Sequence, residues 1–410
     1  MSETEYREYR HEDAESFLRL HDTAFPKMSA EFWDRFSHGP VTASVALMDG
    51  EVVGTVPFHL RDFRIRPGVV VPVACEFSVC VREDLRGTGI GSGLMAKAKE
   101  FLRERCLAMM VYRGDERSPA YHYYARNGHH DMIYLRPWVR RGSTGVDAGE
   151  VERRGWEEFL AEEAEHLAVF RNAYAAHGGF PERGSGYYAP AAHTPEYNEV
   201  PVELTVLSRR GVVGAHSSTP AVTSLRGYAI VGEERYVPAL HLMEIAVMDN
   251  DLAEALPLLA TFAEMAVERG VPAVASMPDS SPYVPALRAL GFEPQPRSQR
   301  SMMIMVHALD PEGLASAVWR ESEATAGLEV HAWTPERQVV LHRPCQGRAR
   351  EVLLEMKEAE LTRLLFGRLD LRAAVAQGTV TAVGADAADI DAIAGALPFT
   401  EWAYHYLDFV

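Results

Sequence analysis

The residues best suited to chemistry lie between Val79 and Met95. Val79-Cys80-Val81 reads as the end of a strand, and Arg82-Glu83-Asp84-Leu85-Arg86-Gly87-Thr88-Gly89-Ile90-Gly91-Ser92-Gly93 leads from it into a helix. Glycines let successive backbone N–H groups converge without Cβ obstruction, and the helix N-terminus adds partial positive charge, so this turn suits a pyrophosphate. Two common phosphate motifs do not fit. A G-x-G-x-x-G fingerprint counted from Gly87 meets Ser92 where it needs glycine, and counted from Gly89 it meets Leu94; no Gly-Lys-Ser/Thr triplet of a P-loop occurs. What stands is Arg86-x-x-Gly89-x-Gly91, with an unliganded tight turn as the bland alternative.

These residues need a strand before them and helices around them. Tyr6–Tyr9 reads as a short strand, and Asp13 can cap a helix running to Ala24, with a second short helix carrying Trp33 and Phe36. Val41–Met48 and Glu51–Leu60 are β-runs joined by Asp49-Gly50, a strong hairpin signal. Val69–Val81 is expected as one further strand, followed by a helix from about Gly91 to Cys106 and a strand Leu107–Tyr112. A helix from Ser118 to Asn127, stopped by Gly128, carries Ala120-x-x-Tyr123-Tyr124-x-x-x-Gly128. Polar, glycine-containing residues from Arg140 to Gly155 read as a linker.

With 410 residues, 47% hydrophobic and 24% charged, the chain has the composition of an ordinary globular protein of two or three domains. A net charge of −17 argues against a general nucleic-acid binder and favours a cationic partner. The region from 51 to 140 is nonetheless slightly basic, which suits a cofactor with several phosphates. The four cysteines include no C-x-x-C pair, so neither a disulfide framework nor a metal site is expected. A polar N-terminus and the lack of a long apolar run predict a cytoplasmic protein with no membrane span.

The Arg86-x-x-Gly89-x-Gly91 loop closely resembles the acetyl-CoA pyrophosphate motif of the GNAT N-acetyltransferases, and the Ala120–Gly128 segment resembles the motif that closes their cofactor cleft. The resemblance implies acetyl-CoA as co-substrate, held by Val79, Cys80 and Val81, by Arg86 through Ser92 (Arg86, Gly87, Thr88, Gly89, Ile90, Gly91, Ser92), and by Pro119 and Ala120. It also implies Tyr124 as the acid that protonates the departing thiolate, with Tyr123 expected in the core. Glu76 lies near where such enzymes keep a catalytic carboxylate, and a strand N–H near Val79 to Val81 would polarise the thioester carbonyl.

An internal repeat reinforces the domain reading. Ser118-Pro119 and Gly128-His129 recur at the same separation as Ser281-Pro282 and Gly291-Phe292, and Val79-Cys80-Val81 matches Ile245-Ala246-Val247. The second copy lacks the chemistry, because Leu252-Ala253-Glu254-Ala255-Leu256-Pro257 stands opposite Arg86–Gly91 and Leu287 opposite Tyr124. The expected architecture is α/β (α+β): a GNAT domain at 1–145, a degenerate GNAT-like domain at 146–300, and a third unit at 301–410. That order resembles the enhanced-intracellular-survival acetyltransferases, whose C-terminal unit is sterol-carrier-like. Leu361-Thr362-Arg363-Leu364-Leu365-Phe366-Gly367 and Ala396-Leu397-Pro398-Phe399 are the matching stretches. This second resemblance implies a hexamer, an amine acceptor such as an aminoglycoside or polyamine, and an acceptor pocket using Asp22, Trp33 and Phe36. It further implies a terminal carboxylate, here that of Val410, as an alternative to Glu76 for the base. A non-catalytic acyl-CoA sensor or lipid-binding protein is the rival from another class.

Overall fold

Alternating apolar residues make the hairpin of β2 (Val41–Met48) and β3 (Glu51–Arg66), and its Asp49-Gly50 turn has φ of 52° and 82°, the pair of positive values a two-residue I′ turn needs. The computed structural model describes residues 3–25, 41–113, 117–146, 149–189, 204–213, 222–233, 238–296, 303–344 and 349–408, so Trp33, Phe36 and Val410 lie outside it. Before the hairpin come β1 (Glu5–Glu8) and α1 (Ala14–Ala24). After it follow β4 (Val69–Glu76), β5 (Cys80–Val81), α2 (Ile90–Leu102), β6 (Ala108–Arg113), α3 (Pro119–Arg126) and β7 (His130–Tyr134).

A second set repeats this order: β8 (Arg136–Arg140), β9 (Glu152–Arg154), α4 (Glu163–Ala173), β10 (Phe180–Pro181), β11 (Leu204–Val213), β12 (Val222–Glu233), β13 (Leu240–Val247), α5 (Leu252–Glu268), β14 (Ala273–Met277), α6 (Val284–Ala289), β15 (Glu293–Pro294) and β16 (Met303–Ala308). The first sheet runs β1-β2-β3-β4-β6-β16-β7 and the second β9-β11-β12-β13-β14-β8-β15, position for position the same plan. Register agrees: Gly54 faces Val81 across β3 and β5, as Gly227 faces Val247 across β12 and β13. The alignment of Val79–Val81 with Ile245–Val247 is therefore also a spatial one.

β16 and β8 each insert into the sheet of the other half of the chain, and the short β10 also joins the first sheet by pairing with β3. β16 lies between β6 and β7, pairing Val306 with both Met110 and His130, while β8 pairs with β14 and β15 in the second sheet. This reciprocal exchange crosses the boundaries expected at 145 and 300. Nothing in the apolar pattern of either strand says which sheet it joins, because both sheets offer the same slot.

Beyond β16, α7 (Pro311–Val318) leads to a small sheet of β17 (Leu328–Trp333), β18 (Gln338–His342), β19 (Arg350–Glu355) and β20 (Thr381–Val383), in the order β18-β17-β19-β20. Its helix α8 (Glu358–Leu365) packs back on β7 and β16. The chain then returns to the first sheet: Trp402 packs at a steep angle against the rings of Phe63 and Phe366 and donates its indole N–H to Ile65 O at 2.9 Å. Gly179 (φ 91°) makes room, since a Cβ there would sit 2.6 Å from the Trp402 Cβ. From Trp402 to Asp408 all residues but Leu407 are buried, in line with the apolar character of this segment.

Candidate active site

The site starts where two parallel strands part. β4 pairs with β6 from Val73–Ala108 to Glu76–Val111 and stops there, and β5 continues the line of β4 but pairs only with β3. The single strand expected over Val69–Val81 is thus broken at Phe77–Val79. Ser78 lies in the break at φ 43°, a left-handed conformation costly for a residue with a Cβ and rarely kept without a purpose. A fork of this kind offers strand-edge amides to a linear ligand entering between β5 and β6.

The glycine turn lies at the mouth of the fork. Gly87 and Gly89 adopt φ of 79° and 96°, and Gly89 opens α2 as its N-cap. The amides of Ile90, Gly91 and Ser92 belong to the first helical turn, which has no intrahelical acceptor, so they are available to an anion. Arg86 is exposed beside them, its Nε donating to Val81 O at 3.2 Å, so strand end and loop are tied together. Tyr123 closes the other side: its hydroxyl donates to Gly91 O at 2.9 Å. Pro119, exposed, and Ala120, half-buried, start α3 across from this turn.

The two tyrosines stand the other way round in burial from expectation. Tyr124 is 1% exposed and packs with Ala120 into the core between the sheet and α2, whereas Tyr123 is half-buried and reaches α2. The short α3 turns Ala120 and Tyr124, four apart, onto one inward face. Beneath Tyr124 lies a pair only half foreseen. Glu76, the last β4 residue to pair with β6, accepts a 2.5 Å hydrogen bond from His129 Nε2, and neither side chain is exposed. The His129 ring meets Tyr124 edge-on at 5.4 Å. Glu76 is thus not a surface carboxylate beside the cleft. His129 appeared in the sequence only as the residue after a helix-stopping glycine, and neither type nor spacing marked it further.

On the opposite face, Cys80 lies 3.9 Å from His21 Nε2, which hydrogen-bonds Thr55 Oγ1 at 2.8 Å. This is no nucleophile–base couple. Burial pushes the Cys80 thiol up to about 11 and the His21 imidazole down to about 3, so at neutral pH both are uncharged. Asp22, the next residue on α1, points to solvent. On this same face the C-terminal segment is held by charges. Arg61 of β3 donates to Asp408 O at 3.2 Å, and the Asp408 carboxylate accepts from Arg183 at 2.8 Å and Tyr187 at 2.5 Å. Arg183 also binds Glu244 of β13, which accepts from Tyr188 and Tyr228. No single residue of this network was expected, since its members lie up to 347 residues apart.

The second sheet's fork is already filled. Val247, opposite Val81 in register, donates its N–H to Tyr283 Oη at 3.0 Å, and Tyr174 donates its hydroxyl to Ile245 O at 2.5 Å. Side chains thus occupy the backbone groups that a cofactor would need. The loop that would hold phosphates carries Glu254, bound to Arg209 at 2.6 Å, and Leu287 is fully buried where a tyrosine would stand. Among the described residues no cluster of His, Cys, Asp and Glu could hold a metal ion, and no helix is long and apolar enough to cross a membrane.

Residues 6–129 match the profile of the "Acetyltransferase (GNAT) family". Solved structures share the fold along the whole chain. A GCN5-related N-acetyltransferase from Kribbella flavida is 17% identical, with TM-score 0.64, over 98% of this chain and 97% of that one. A probable N-acyltransferase of unknown function from Enterococcus faecalis V583 is 14% identical, with TM-score 0.70, over 99% of both. Eis1 from Mycobacterium abscessus is 14% identical, with TM-score 0.60, over 97% of both. No curated protein sequence matches the chain.

Proposed function

We propose that this chain, an N-acetyltransferase whose first domain is of the GNAT family, passes the acetyl group of acetyl-CoA directly to the nitrogen of a small amine, polyamine- or aminoglycoside-like. The observation that carries the reading is the fork at Glu76–Val111 with the Arg86–Gly91 turn at its mouth. Acetyl-CoA would lay its pyrophosphate on the amides of Ile90 to Ser92 and its pantetheine arm along Val79–Val81. An N–H of that strand edge would then meet the thioester oxygen as charge develops on it.

Direct transfer is favoured over an acyl-enzyme because Cys80, a thiol in the fork, is held protonated beside a neutral His21. In this reading Tyr124 protonates the thiolate, and Glu76 or the Val410 carboxylate takes the amine proton. Arg61 and Arg183 bring the C-terminal segment to the face of β3 from which an acceptor could enter, which supports a part for that segment in the site. The acidic balance of the remaining chain suits a cationic acceptor. The sterol-carrier-like character of the C-terminal unit and a hexameric assembly belong to the same reading, the latter checked by native mass spectrometry.

The test is thiol release from acetyl-CoA with spermidine, histamine and kanamycin as acceptors. Acceptor-dependent release, with acetylated amine by mass spectrometry, is the expected result. Acetyl-CoA binding without turnover on any amine would instead indicate a sensor.

A further inference from the structure

The Glu76–His129 pair is an expensive feature for a core. Glu76 is 2% exposed, and among the described residues neither its Oε2 nor Nδ1 of His129 has a hydrogen-bond partner. A buried carboxylate held by one donor pays desolvation that a well-packed apolar pair would avoid, so stability alone does not account for it. Its position is specific as well. Glu76 ends the β4–β6 ladder two residues before the strained Ser78, and His129 lies against the Tyr124 ring.

The surroundings of the pair fix it in place. His307, on the exchanged strand β16, donates from Nδ1 to Gly128 O at 2.9 Å and brings its ring within 5.7 Å of that of His129. Lys99 of α2 caps Asn127 O at 2.5 Å and adds positive charge facing Glu76. From α3 come Tyr123 and Tyr124, from β7 His130, from β4 itself Cys75, and from the β17–β18 turn Arg337, whose charge reaches Lys99 and His307. Burial holds His307 and His130 toward the neutral form, which leaves Lys99 as the positive neighbour that faces Glu76 from α2.

We infer that His129 is a positioning residue for acetyl transfer: its Nε2–H holds Glu76 Oε1 so that the buried Oε2, which has no partner among the described residues, is fixed in place to take a proton at the fork. The inference rests on the proposed transfer with Glu76 as base. In that step the amine nitrogen bonds to the acetyl carbon, the C–S bond breaks, the surplus proton on nitrogen passes to Oε2, directly or through one water, and the thiolate takes the Tyr124 proton. Return of the proton from Glu76 to Tyr124 through water then restores both groups.

The test is the pH profile of kcat/KM for thiol release by the full chain, with acetyl-CoA and the best of the three acceptors. Removing a hydrogen-bond donor to a carboxylate disfavours its charged form. His129→Leu is therefore expected to move the acidic limb of the profile up by about one pH unit or more, with the high-pH plateau lowered severalfold at most. His129→Gln, whose amide can donate at the Nε2 position, should bring the limb back. A His129→Leu enzyme slowed equally at every pH, with the limb unmoved, would overturn the inference.

Glu76→Gln separates the two claims. A loss of about 10²–10⁴ with disappearance of the limb supports the base, whereas near-full activity would remove Glu76 as base and the inference with it. Independently of turnover, imidazole ¹⁵N spectra of the full chain should show a strongly deshielded His129 Nε2 proton that Glu76→Gln abolishes. Absence of that proton from the wild-type spectrum would also overturn the inference.

Discussion

Arg183→Met is the substitution whose cost can be worked most directly from the packing. Arg183 is 2% exposed, lies between Glu244 at 2.5 Å and Asp408 at 2.8 Å, and stacks over Phe170 at 3.7 Å. Methionine keeps most of the volume and the contact with the ring but leaves two carboxylates buried without their cation. Removing one partner of a buried pair typically costs about 3–5 kcal/mol. Glu244 retains the Tyr188 and Tyr228 hydroxyls and Asp408 retains Tyr187, which places the expectation at the lower end, about 3 kcal/mol. The assay is urea unfolding followed by tryptophan fluorescence, with Asp408→Asn and the double variant completing a mutant cycle. Because Asp408→Asn removes one of the stranded charges, the double variant should lose at least about 1 kcal/mol less than the sum of the two single losses. A loss below about 1 kcal/mol for Arg183→Met, or strict additivity in the cycle, would refute the reasoning.

Three further outcomes are expected. Tyr124→Phe should lower kcat strongly with little change in KM for acetyl-CoA, because its proton is needed only as the thiolate forms; Tyr123→Phe loses the bond to Gly91 O and should raise that KM instead, and the reverse pattern would exchange their roles. Burial holds His21 at about 3 and keeps His59 and His405 well below the usual histidine range, so the unfolded chain takes up protons below about pH 6.5 that the folded chain refuses. Stability should accordingly fall as the pH falls, by about 2 kcal/mol at pH 5 from His21 alone and further from the other two, and a flat urea midpoint between pH 7 and 5 would contradict this. Finally, a fragment of residues 1–145 lacks β16 and should be soluble and folded only when a peptide spanning Met303–Ala308 is supplied; cooperative unfolding of the fragment alone would show that the exchange is dispensable.

Much of the first domain was legible because its signals are local. The Asp49-Gly50 turn, the alternation of Val41–Met48 and the glycines after Val81 each state a conformation within a few residues, and β2, β3 and α2 formed where those signals stood. The repeat was legible too, since Gly128 and Gly291 end equivalent short helices at φ of 80° and 74°. What the sequence hid is non-local. The break at Ser78 leaves no mark in an apolar run, the swap of β8 and β16 obeys the same alternation in either sheet, and the order of Tyr123 and Tyr124 depended on helix register. His129 looked like a spacer because its meaning comes from Glu76, 53 residues away. The plugging of the second fork by Tyr174 and Tyr283 was likewise invisible, although the loss of glycine and arginine from its loop pointed to the same end.

Calorimetric titration of the full chain with acetyl-CoA tests the central claim, one working fork per chain, most directly. One site per chain is expected, abolished by Arg86→Glu or Gly89→Asp in protein that stays folded by circular dichroism, and untouched by Glu254→Gln in the second domain. Two sites per chain, or undiminished binding by the folded Arg86→Glu protein, would contradict it.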